Sequence, residues 1–290
     1  MIDIAVDPKL IALVTAISFG LNPVALKIGF GRGGRPDTAM ILGLFIAVPM
    51  YALILPFAGG LQWELVTIPA LVGFILGGLF GTGIGRRWLY IAIDQLGAAP
   101  ATAIKNSAPV VTTFLAALVY DEPVTLVRWA AVIAIVCGVV LVTWKPGSKA
   151  KNFLSVGMLA AFGAMLSYGV RPLFLKFGLE NADLPVTAAF VGAIAALTYG
   201  FVFGDRRDLK GSWRQPAFGL FVLSGVLQGI GFLALSLGLS AGDVSLVYPV
   251  TASAPLFTLA FTWLFLRGKE QITLQLVLGV LLVVGGVIYL

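Results

Sequence analysis

Apolar runs of roughly bilayer-spanning length alternate with short polar breaks along the whole chain. A helix needs about 20 apolar residues to cross the hydrocarbon core, and no segment shows the alternating pattern of a membrane β-barrel strand. The pattern therefore predicts an all-α polytopic membrane protein with ten transmembrane helices and with loops too short for an extramembrane domain. The predicted helices span 10–30, 39–55, 68–93, 98–120, 126–144, 154–179, 185–203, 217–239, 244–266 and 272–290.

The two halves of the chain repeat each other. Segment 18–29 matches segment 167–178 at six of twelve positions, and a second register, offset by 146 residues, aligns 83–109 with 229–255. Helices one to five therefore correspond to helices six to ten, in an N-terminal repeat at 1–148 and a C-terminal repeat at 149–290. Because five is an odd number, the second repeat enters the membrane from the opposite side and is inverted.

Composition excludes several classes of protein. The chain is 59% hydrophobic and 11% charged, whereas about a quarter of the residues in a soluble domain are charged. It has no histidine and one cysteine, Cys137, which excludes an intrachain disulfide and a cysteine metal cluster and removes the commonest general base. We expect neither an enzyme nor a metal or other cofactor. The net charge of +6 comes mainly from loop residues, so we attribute it to membrane topology and not to nucleic-acid binding.

Lysine and arginine are concentrated on one side of the predicted membrane. The loops after odd-numbered helices hold 14 of them against three on the other side, when Arg86 and Arg87 are counted as loop residues. If that pair belongs to a helix, the count becomes 14 − 2, or 12 against three. The positive-inside rule then places the odd-numbered loops in the cytoplasm and both termini outside.

Each half opens with a Ser-aromatic-Gly-x-x-Pro-x-x-x-Lys segment, at 18–27 and 167–176, and closes with Pro, then Glu, then a Gly-rich last helix. In this order of motifs the chain resembles the EamA-type exporters of the drug/metabolite transporter superfamily. The resemblance implies a bacterial-type inner-membrane protein that moves a small molecule by alternating access between its halves. It also implies a cavity between helices one, three, four, six, eight and nine. Such exporters carry amino acids, aromatic ones among them, and other small metabolites, and relatives in the wider superfamily carry sugar phosphates or nucleotide sugars. Besides the lipid bilayer and the substrate we expect no partner, in a monomer or weak dimer.

Charged residues within the predicted helices point to an anionic group on the substrate. All thirteen carboxylates fall in loops or at helix ends, and because proton-for-cation exchange needs a carboxylate inside the membrane, we expect facilitated transport. Lys105 and Arg171 lie well inside helices four and six, where an unpaired charge is costly. We expect both to face a wet cavity and to bind a carboxylate or a phosphate. The alternative is that each snorkels to an interface.

Two residues that precede prolines at equivalent positions of the repeats are further candidates. Asn22 precedes Pro23, and Arg171 precedes Pro172, and each proline removes one backbone hydrogen bond. The freed carbonyls and the Asn22 amide are candidate ligands for an ammonium group. A helix–helix hydrogen bond is the alternative for Asn22 and for Asn106.

Aromatic and polar side chains complete the predicted site. Trp88, Tyr90, Tyr168 and Tyr248 are candidates for stacking on the substrate, with an interfacial aromatic belt as the alternative for Trp88. Thr82 and Gln228 are repeat equivalents that either line the cavity or pack between helices. The full predicted set of substrate-binding residues is Asn22, Thr82, Trp88, Tyr90, Lys105, Asn106, Tyr168, Arg171, Gln228, Tyr248 and Ser253.

Glycines recur every four residues in helix three, at 73, 77, 81 and 85, and form a smooth ridge on one face. Close packing is the main interpretation, and sliding during gating and dimerisation are alternatives. The predicted gating or packing residues are Pro23, Gly77, Gly81, Gly85, Pro109, Pro172 and Pro255.

These observations favour an exporter of small metabolites, with amino acids of aromatic preference as the main substrate hypothesis. The alternative is a carrier or exchanger of anionic sugar phosphates or nucleotide sugars, which Lys105, Arg171 and Arg86 favour.

Overall fold

The computed structural model describes residues 8–120, 125–143, 155–241, 250–251 and 253–289, and helices account for nearly all of the described structure. The α-helices of these residues are α1 (Pro8–Phe30), α2 (Pro36–Ile54), α3 (Ile68–Gly78), α4 (Arg86–Leu96), α5 (Ala98–Lys105), α6 (Ala108–Tyr120), α7 (Leu126–Thr143), α8 (Val156–Asn181), α9 (Pro185–Phe203), α10 (Phe218–Ala241), α11 (Ala254–Phe265) and α12 (Leu274–Tyr289).

The helices have the length and composition of membrane spans. Six helical segments of the described residues are long and apolar enough to cross a bilayer, and three shorter apolar helices accompany them. The six are Lys9–Phe30, Pro36–Ala58, Ile68–Leu96, Leu126–Thr143, Val156–Asn181 and Pro185–Phe203. The predicted class, a multi-pass all-helical membrane protein, is confirmed. Of the predicted helix at 244–266, residues 244–249 and 252 lie outside the described part.

The third predicted helix is continuous from Ile68 to Leu96, because a π-helical segment, Leu79–Gly85, joins α3 directly to α4. Arg86 and Arg87 are the first two residues of α4, so counting them as loop residues was wrong. From sequence, the hydrophobic run predicted that this helix ends at residue 93, and the charges of Arg86 and Arg87 favoured a loop at those two positions. In the structure the helix continues through both arginines.

The fourth predicted helix is broken. α5 ends at Lys105, and α6 begins at Ala108. In the break the Ser107 hydroxyl donates to the Ile104 carbonyl over 2.5 Å. The second repeat has the same arrangement, since the Ser253 hydroxyl donates to the Val250 carbonyl over 2.6 Å just before α11. Each hydroxyl adds a second hydrogen bond to a carbonyl that also accepts the backbone N–H of the same serine.

Helices of one half pack against helices of the other. α1 packs on α10, α3 and α4 on α8, α2 on α9 and α10, and α7 on α12. Glycine allows the closest of these contacts, because a Cβ on Gly78 would lie 2.6 Å from the carbonyl carbon of Gly192 on α9, and one on Gly138 would lie 2.7 Å from the carbonyl oxygen of Gly279 on α12. Small residues bring helix backbones together in this way in membranes.

Candidate functional site

Three cationic side chains converge where the two halves meet. Arg86 comes from the start of α4, Lys105 from the last residue of α5 and Arg171 from the middle of α8. Arg171 is near enough to both Lys105 and Arg86 for mutual electrostatic repulsion. Lys105 and Arg171 lie deep among the helices, yet each keeps part of its surface accessible. We call these three residues the cationic cluster.

Lys105 is held by its neighbours at the helix break. Its Nζ atom donates to Oδ1 of Asn106 over 2.6 Å and lies 5.1 Å from the centroid of the Tyr168 ring. The end of α5 also offers the negative end of a short helix dipole to the ammonium group. Asn106 and Tyr168 therefore position Lys105, while part of the lysine surface remains accessible.

The Arg171 side chain packs against Gly81 and against the ring of Phe232. Its Cζ atom is 5.3 Å from the centroid of the Phe232 ring on α10. A Cβ at position 81 would lie 2.7 Å from Nε of Arg171 and closer still to its Cδ atom. Gly81 thus provides the space that the arginine side chain occupies, and Phe232 covers one face of the guanidinium.

Arg86 is the most enclosed member of the cluster, with 3% of its surface exposed. Its guanidinium lies beside the Tyr168 hydroxyl and within electrostatic reach of Tyr51. Nη1 of Arg86 has no hydrogen-bond partner among the described residues. A buried donor without a partner is costly and is usually explained by a ligand, water or ion. Arg86 thus contributes a donor whose partner a bound anion would supply.

Arg86 and Arg87 directly follow the π-helical segment and point to different places, because successive residues of a helix are about 100° apart around its axis. A π turn adds one residue to a helical turn and so rotates everything that follows it, and such turns are frequent at functional sites. Directly after the segment, Arg86 turns into the cluster, whereas Arg87 reaches Asp37 at the start of α2, with Nε to Oδ1 at 2.7 Å.

No described carboxylate is among the groups that interact electrostatically with Lys105 or Arg171. Among the described residues, Lys105 interacts electrostatically with Arg171. Arg171 interacts with Arg86 and with the tyrosines 51 and 168. Every described carboxylate lies in a loop or in the first or last turns of a helix; these are Asp37, Glu64, Asp94, Glu180, Asp183, Asp205, Asp208 and Glu270.

Several residues predicted from sequence lie outside the cluster. The Asn22 amide donates to the Ser224 carbonyl over 2.8 Å and approaches Oε1 of Gln228 at 3.4 Å, so Asn22 and Gln228 tie α1 to α10. This is the helix–helix hydrogen bond that the sequence analysis gave as the alternative interpretation of Asn22. Ser253 lies at the break before α11, where its hydroxyl donates to the Val250 carbonyl.

Some of the predicted aromatic residues lie in or next to the cluster, and others lie away from it. Tyr168 lies in the cluster, and Tyr90, which is 2% exposed, lies within electrostatic reach of Tyr168 and 6.4 Å from the Phe30 ring. Trp88 is 38% exposed and packs over Gly163 on the outer side of α8. Thr82 lies half-buried in the π-helical segment. Tyr248 lies outside the described residues.

The glycine ridge runs along α8. A Cβ at position 73 would meet Gly178, at 77 Leu175, at 81 Arg171 and at 85 Ser167 and Tyr168. The ridge therefore contacts α8 from near its C-terminal end to the cluster. The predicted prolines divide into two kinds. Pro23 and Pro172 lie inside the continuous helices α1 and α8, whereas Pro109 and Pro255 are the second residues of α6 and α11, where a missing N–H costs nothing.

Sequence reasoning missed Tyr51, Phe232 and the inward direction of Arg86. The repeat register contained a signal for two of them, because adding 146 to position 86 gives 232. The equivalents of Lys105 and Arg171 are Thr251 and Asn22. Each cation of the cluster thus corresponds to an uncharged residue in the other half.

Polar contacts join the halves on the side of the odd-numbered loops. Asp37 accepts from Arg87 and from the backbone N–H of Asp205 at 2.7 Å, and Arg35 pairs with Asp205 at 2.9 Å and with Asp208 at 2.7 Å. A second contact lies at the start of α5, where Glu270 accepts from the Ala98 N–H at 2.9 Å. Burial raises the pKa of Glu270, and the N–H groups of Ala98 and Ala99 and the charge of Lys27 oppose that rise.

Comparisons with known proteins agree with this architecture. The model of the EamA-like transporter family matches residues 9–144 and again residues 155–290. The chain is 24% identical over 274 residues to the uncharacterized transporter YoaV of Bacillus subtilis (strain 168), a match that covers 93% of this chain and 91% of YoaV. It is also 39% identical over 142 residues to the uncharacterized protein MJ1333.1 of Methanocaldococcus jannaschii, a match of 47% of this chain and 93% of that protein.

One solved crystal structure has a similar fold, with a TM-score of 0.61 at 19% identity, and the likeness covers 97% of this chain and 95% of the other. The doubled family match agrees with the repeat seen in the sequence and with the helices of the structure. The chain is a multi-pass membrane protein that belongs to the EamA-like transporter family of the drug/metabolite transporter superfamily.

Proposed function

We propose that this chain exports small organic anions by alternating access, and that the anionic group of the substrate binds in the cationic cluster. The observation that carries the proposal is the proximity of Arg171 to both Lys105 and Arg86 between the halves, together with the Nη1 donor of Arg86 that has no partner among the described residues. A guanidinium presents a fork of donors that fits carboxylate and phosphate oxygens, and a buried ammonium adds a point charge.

The side chains around the cluster suit the rest of a small metabolite. The rings of Tyr51, Tyr168 and Phe232 form apolar surface next to the charged groups, with Tyr51 and Phe232 in edge contact at 6.4 Å between centroids. Ligand sites commonly combine such apolar walls with a few polar groups that fix orientation. The substrate we propose has one or two anionic groups and a small uncharged part.

Amino acids of aromatic preference are the second candidate. The Tyr168 and Phe232 rings favour it, because either would stack on an aromatic side chain. An ammonium group, however, would enter a site where three cations already repel one another, and the ring of Tyr168 is taken up by Lys105. The charge of the site therefore ranks a net anion ahead of a zwitterion.

Orientation and membrane belong to the same proposal. With Arg86 and Arg87 inside a helix, the odd-numbered loops still hold 14 − 2, or 12, basic residues against three. We therefore infer that these loops are cytoplasmic, that both termini are outside and that the membrane is a bacterial-type inner membrane.

Counterflow into proteoliposomes tests the substrate class. Vesicles are loaded with unlabelled glucose 6-phosphate, succinate or phenylalanine, and uptake of the same labelled compound is followed, with protein-free vesicles as the control. We expect uptake of at least one of the two anions, and a loss of that uptake in Arg171→Met. Counterflow of phenylalanine alone would replace the first candidate with the second.

A further inference from the structure

We propose that Glu270 is a proton-sensitive latch between the two halves. Its carboxyl group holds the halves together on the side of the odd-numbered loops and must leave the start of α5 before that side opens. The proposal rests on the alternating access of the proposed function and is independent of the substrate class. Glu270 lies outside the cationic cluster, in the segment between α11 and α12.

The start of α5, in the N-terminal half, is shaped to receive the carboxyl group. Oε1 of Glu270 accepts from the N–H of Ala98 over 2.9 Å, and the N–H of Ala99 also stabilises the carboxylate. Gly97 provides the space, because a Cβ there would lie 2.7 Å from Cδ of Glu270 and 2.8 Å from both carboxylate oxygens. Gly97 also has a φ of +103°, which residues with a side chain rarely adopt.

A tight turn fixes Glu270 to the C-terminal half. The N–H groups of Lys269 and Glu270 both donate to the carbonyl of Leu266, at 2.8 and 3.1 Å, and Leu266 is buried. Gly268 has a φ of +83°, as the third residue of a type II turn requires. Glu270 therefore moves together with the end of α11.

The latch joins two half-helices, each of which borders a break. α5 runs from the latch to Lys105, where the break before α6 begins, and α11 runs from the break at Ser253 towards the turn that carries Glu270. α5 and α11 contact each other, and Ala103 and Leu259 belong to a hydrophobic cluster between them. Rotation at the two breaks would separate α5 from α11 and would move Lys105 within the cationic cluster. Because Glu270 bonds the ends remote from the breaks, it must let go first.

Protonation sets the strength of the latch. Burial raises the pKa of Glu270, although the N–H groups of Ala98 and Ala99 and the charge of Lys27 oppose that rise. Opening returns Glu270 to water and to its ordinary pKa of 4.5, so the closed state holds the proton more tightly and acid favours closure. The protonated group keeps an acceptor oxygen for the Ala98 N–H, whereas the ionised group loses more hydration when it is buried. Rising pH through the raised pKa therefore favours opening.

The charged groups around the latch, among the residues that the structure describes, come from three places. Lys27 of α1 acts on the Glu270 carboxylate, and its Nζ atom donates to the backbone carbonyl of Asp94 at the end of α4. Arg267 and Lys269 lie on the same turn as Glu270 and are exposed. α12 contains no charged residue, and the lysine of α5 is at its far end. Glu270 is therefore the group whose proton responds to closure.

The accessibility of a cysteine between α5 and α11 tests the latch without a substrate. Ala103, which is fully buried, is changed to cysteine in a Cys137→Ser background, and the rate of labelling of the purified protein by a methanethiosulfonate is followed as a function of pH. Each rate is divided by the rate for Arg32→Cys, in an exposed loop, in the same buffer, which removes the pH dependence of the thiol itself. We expect the normalised rate to rise with pH.

Two substitutions of Glu270 should have opposite effects at neutral pH. Glu270→Gln imitates the protonated latch, so labelling should stay at the slow acid rate at every pH. Glu270→Ala removes the acceptor, so labelling should be independent of pH and at least about fivefold faster than in Glu270→Gln. If Glu270→Ala does not fold, Glu270→Asp, which is one methylene too short for the Ala98 N–H, gives the same comparison. The exposed Glu64→Gln should label as the unsubstituted background does.

Equal labelling of folded Glu270→Gln and Glu270→Ala, or a pH dependence that survives in both, would overturn the latch. A role in stability alone would lower the unfolding temperature of both variants without opposite effects on labelling. Because no substrate is present, the result is separate from the substrate class. Absence of anion counterflow in the wild type would refute the proposed substrate, whereas the labelling rates would still decide whether Glu270 closes this side.

Discussion

Gly81→Ala should weaken substrate binding without unfolding the protein. The new Cβ would lie 2.7 Å from Nε of Arg171 and closer still to its Cδ, whereas nonbonded carbon atoms are comfortable at about 3.5 Å or more. The arginine must therefore move by at least about 0.8 Å, and because its side chain is flexible, the backbone contacts of α3 and α8 remain. Displacement removes the guanidinium from the place where it meets the anion.

The expected loss follows from the hydrogen bonds at stake. A hydrogen bond to a charged group is worth about 1.5–3 kcal/mol, so losing the contribution of Arg171 weakens anion binding by about 10- to 150-fold. Binding of labelled glucose 6-phosphate, succinate and phosphate to purified protein gives this number, and the unfolding temperature of the same samples reports folding.

Two other glycines of α3, Gly77 on the ridge and Gly78 next to it, provide matched controls. A Cβ at Gly77 would lie 3.5 Å from Cβ of Leu175, which is ordinary contact, so Gly77→Ala should bind and unfold as the wild type does. A Cβ at Gly78 would lie 2.6 Å from the backbone of Gly192, which cannot move aside, so Gly78→Ala should lower the unfolding temperature. Wild-type binding by Gly81→Ala, or unfolding of Gly81→Ala as severe as that of Gly78→Ala, would refute this account of Arg171.

Three further predictions concern charges in and around the site. Lys105→Met should weaken binding of the transported anion by about tenfold or more while the unfolding temperature stays at the wild-type value; equal affinity in wild type and variant would remove Lys105 from the site. Because burial raises the pKa of Glu270 above its ordinary 4.5, the folded state holds that proton more tightly, so stability should fall as pH rises through the raised value. Glu270→Gln keeps an acceptor for the Ala98 N–H and should flatten this pH dependence of the unfolding temperature, whereas an unchanged profile would show that another group titrates. Asp37→Asn weakens the contacts to Arg87 and Asp205 and should lower stability by about 1–3 kcal/mol, with the exposed Glu64→Gln as control; identical unfolding temperatures would mean that the loop network contributes nothing measurable.

The spans of the fold were predictable because the bilayer fixes their length. The helix predicted at 185–203 is α9 with the same ends, Pro185–Phe203, and the repeat register aligned Pro109 with Pro255. Hydrophobicity averaged over a span is insensitive to what happens within it. For that reason the break between Lys105 and Ala108 and the π-helical segment at Leu79–Gly85 did not appear in the pattern.

The composition of the site depended on features that the pattern does not contain. The π-helical segment before Arg86 shifts the helical phase of the residues that follow it, and the partner of Asn22, Ser224, lies 202 positions away in the chain. Lys105 and Arg171 were found from sequence because a charge inside a membrane span is expensive and needs a reason. Tyr51 and Phe232 gave no such signal, since an aromatic residue in an apolar helix is usual.

The most direct test of the cationic cluster is to locate a heavy oxyanion in it. Crystals of the purified protein grown with tungstate, whose anomalous scattering marks its position, would show where an oxyanion binds. We predict the strongest anomalous peak in the space bounded by Arg86, Lys105 and Arg171, and its loss in crystals of Arg171→Met. A vacant cluster at saturating tungstate, with peaks confined to loop arginines such as Arg206, would contradict the account.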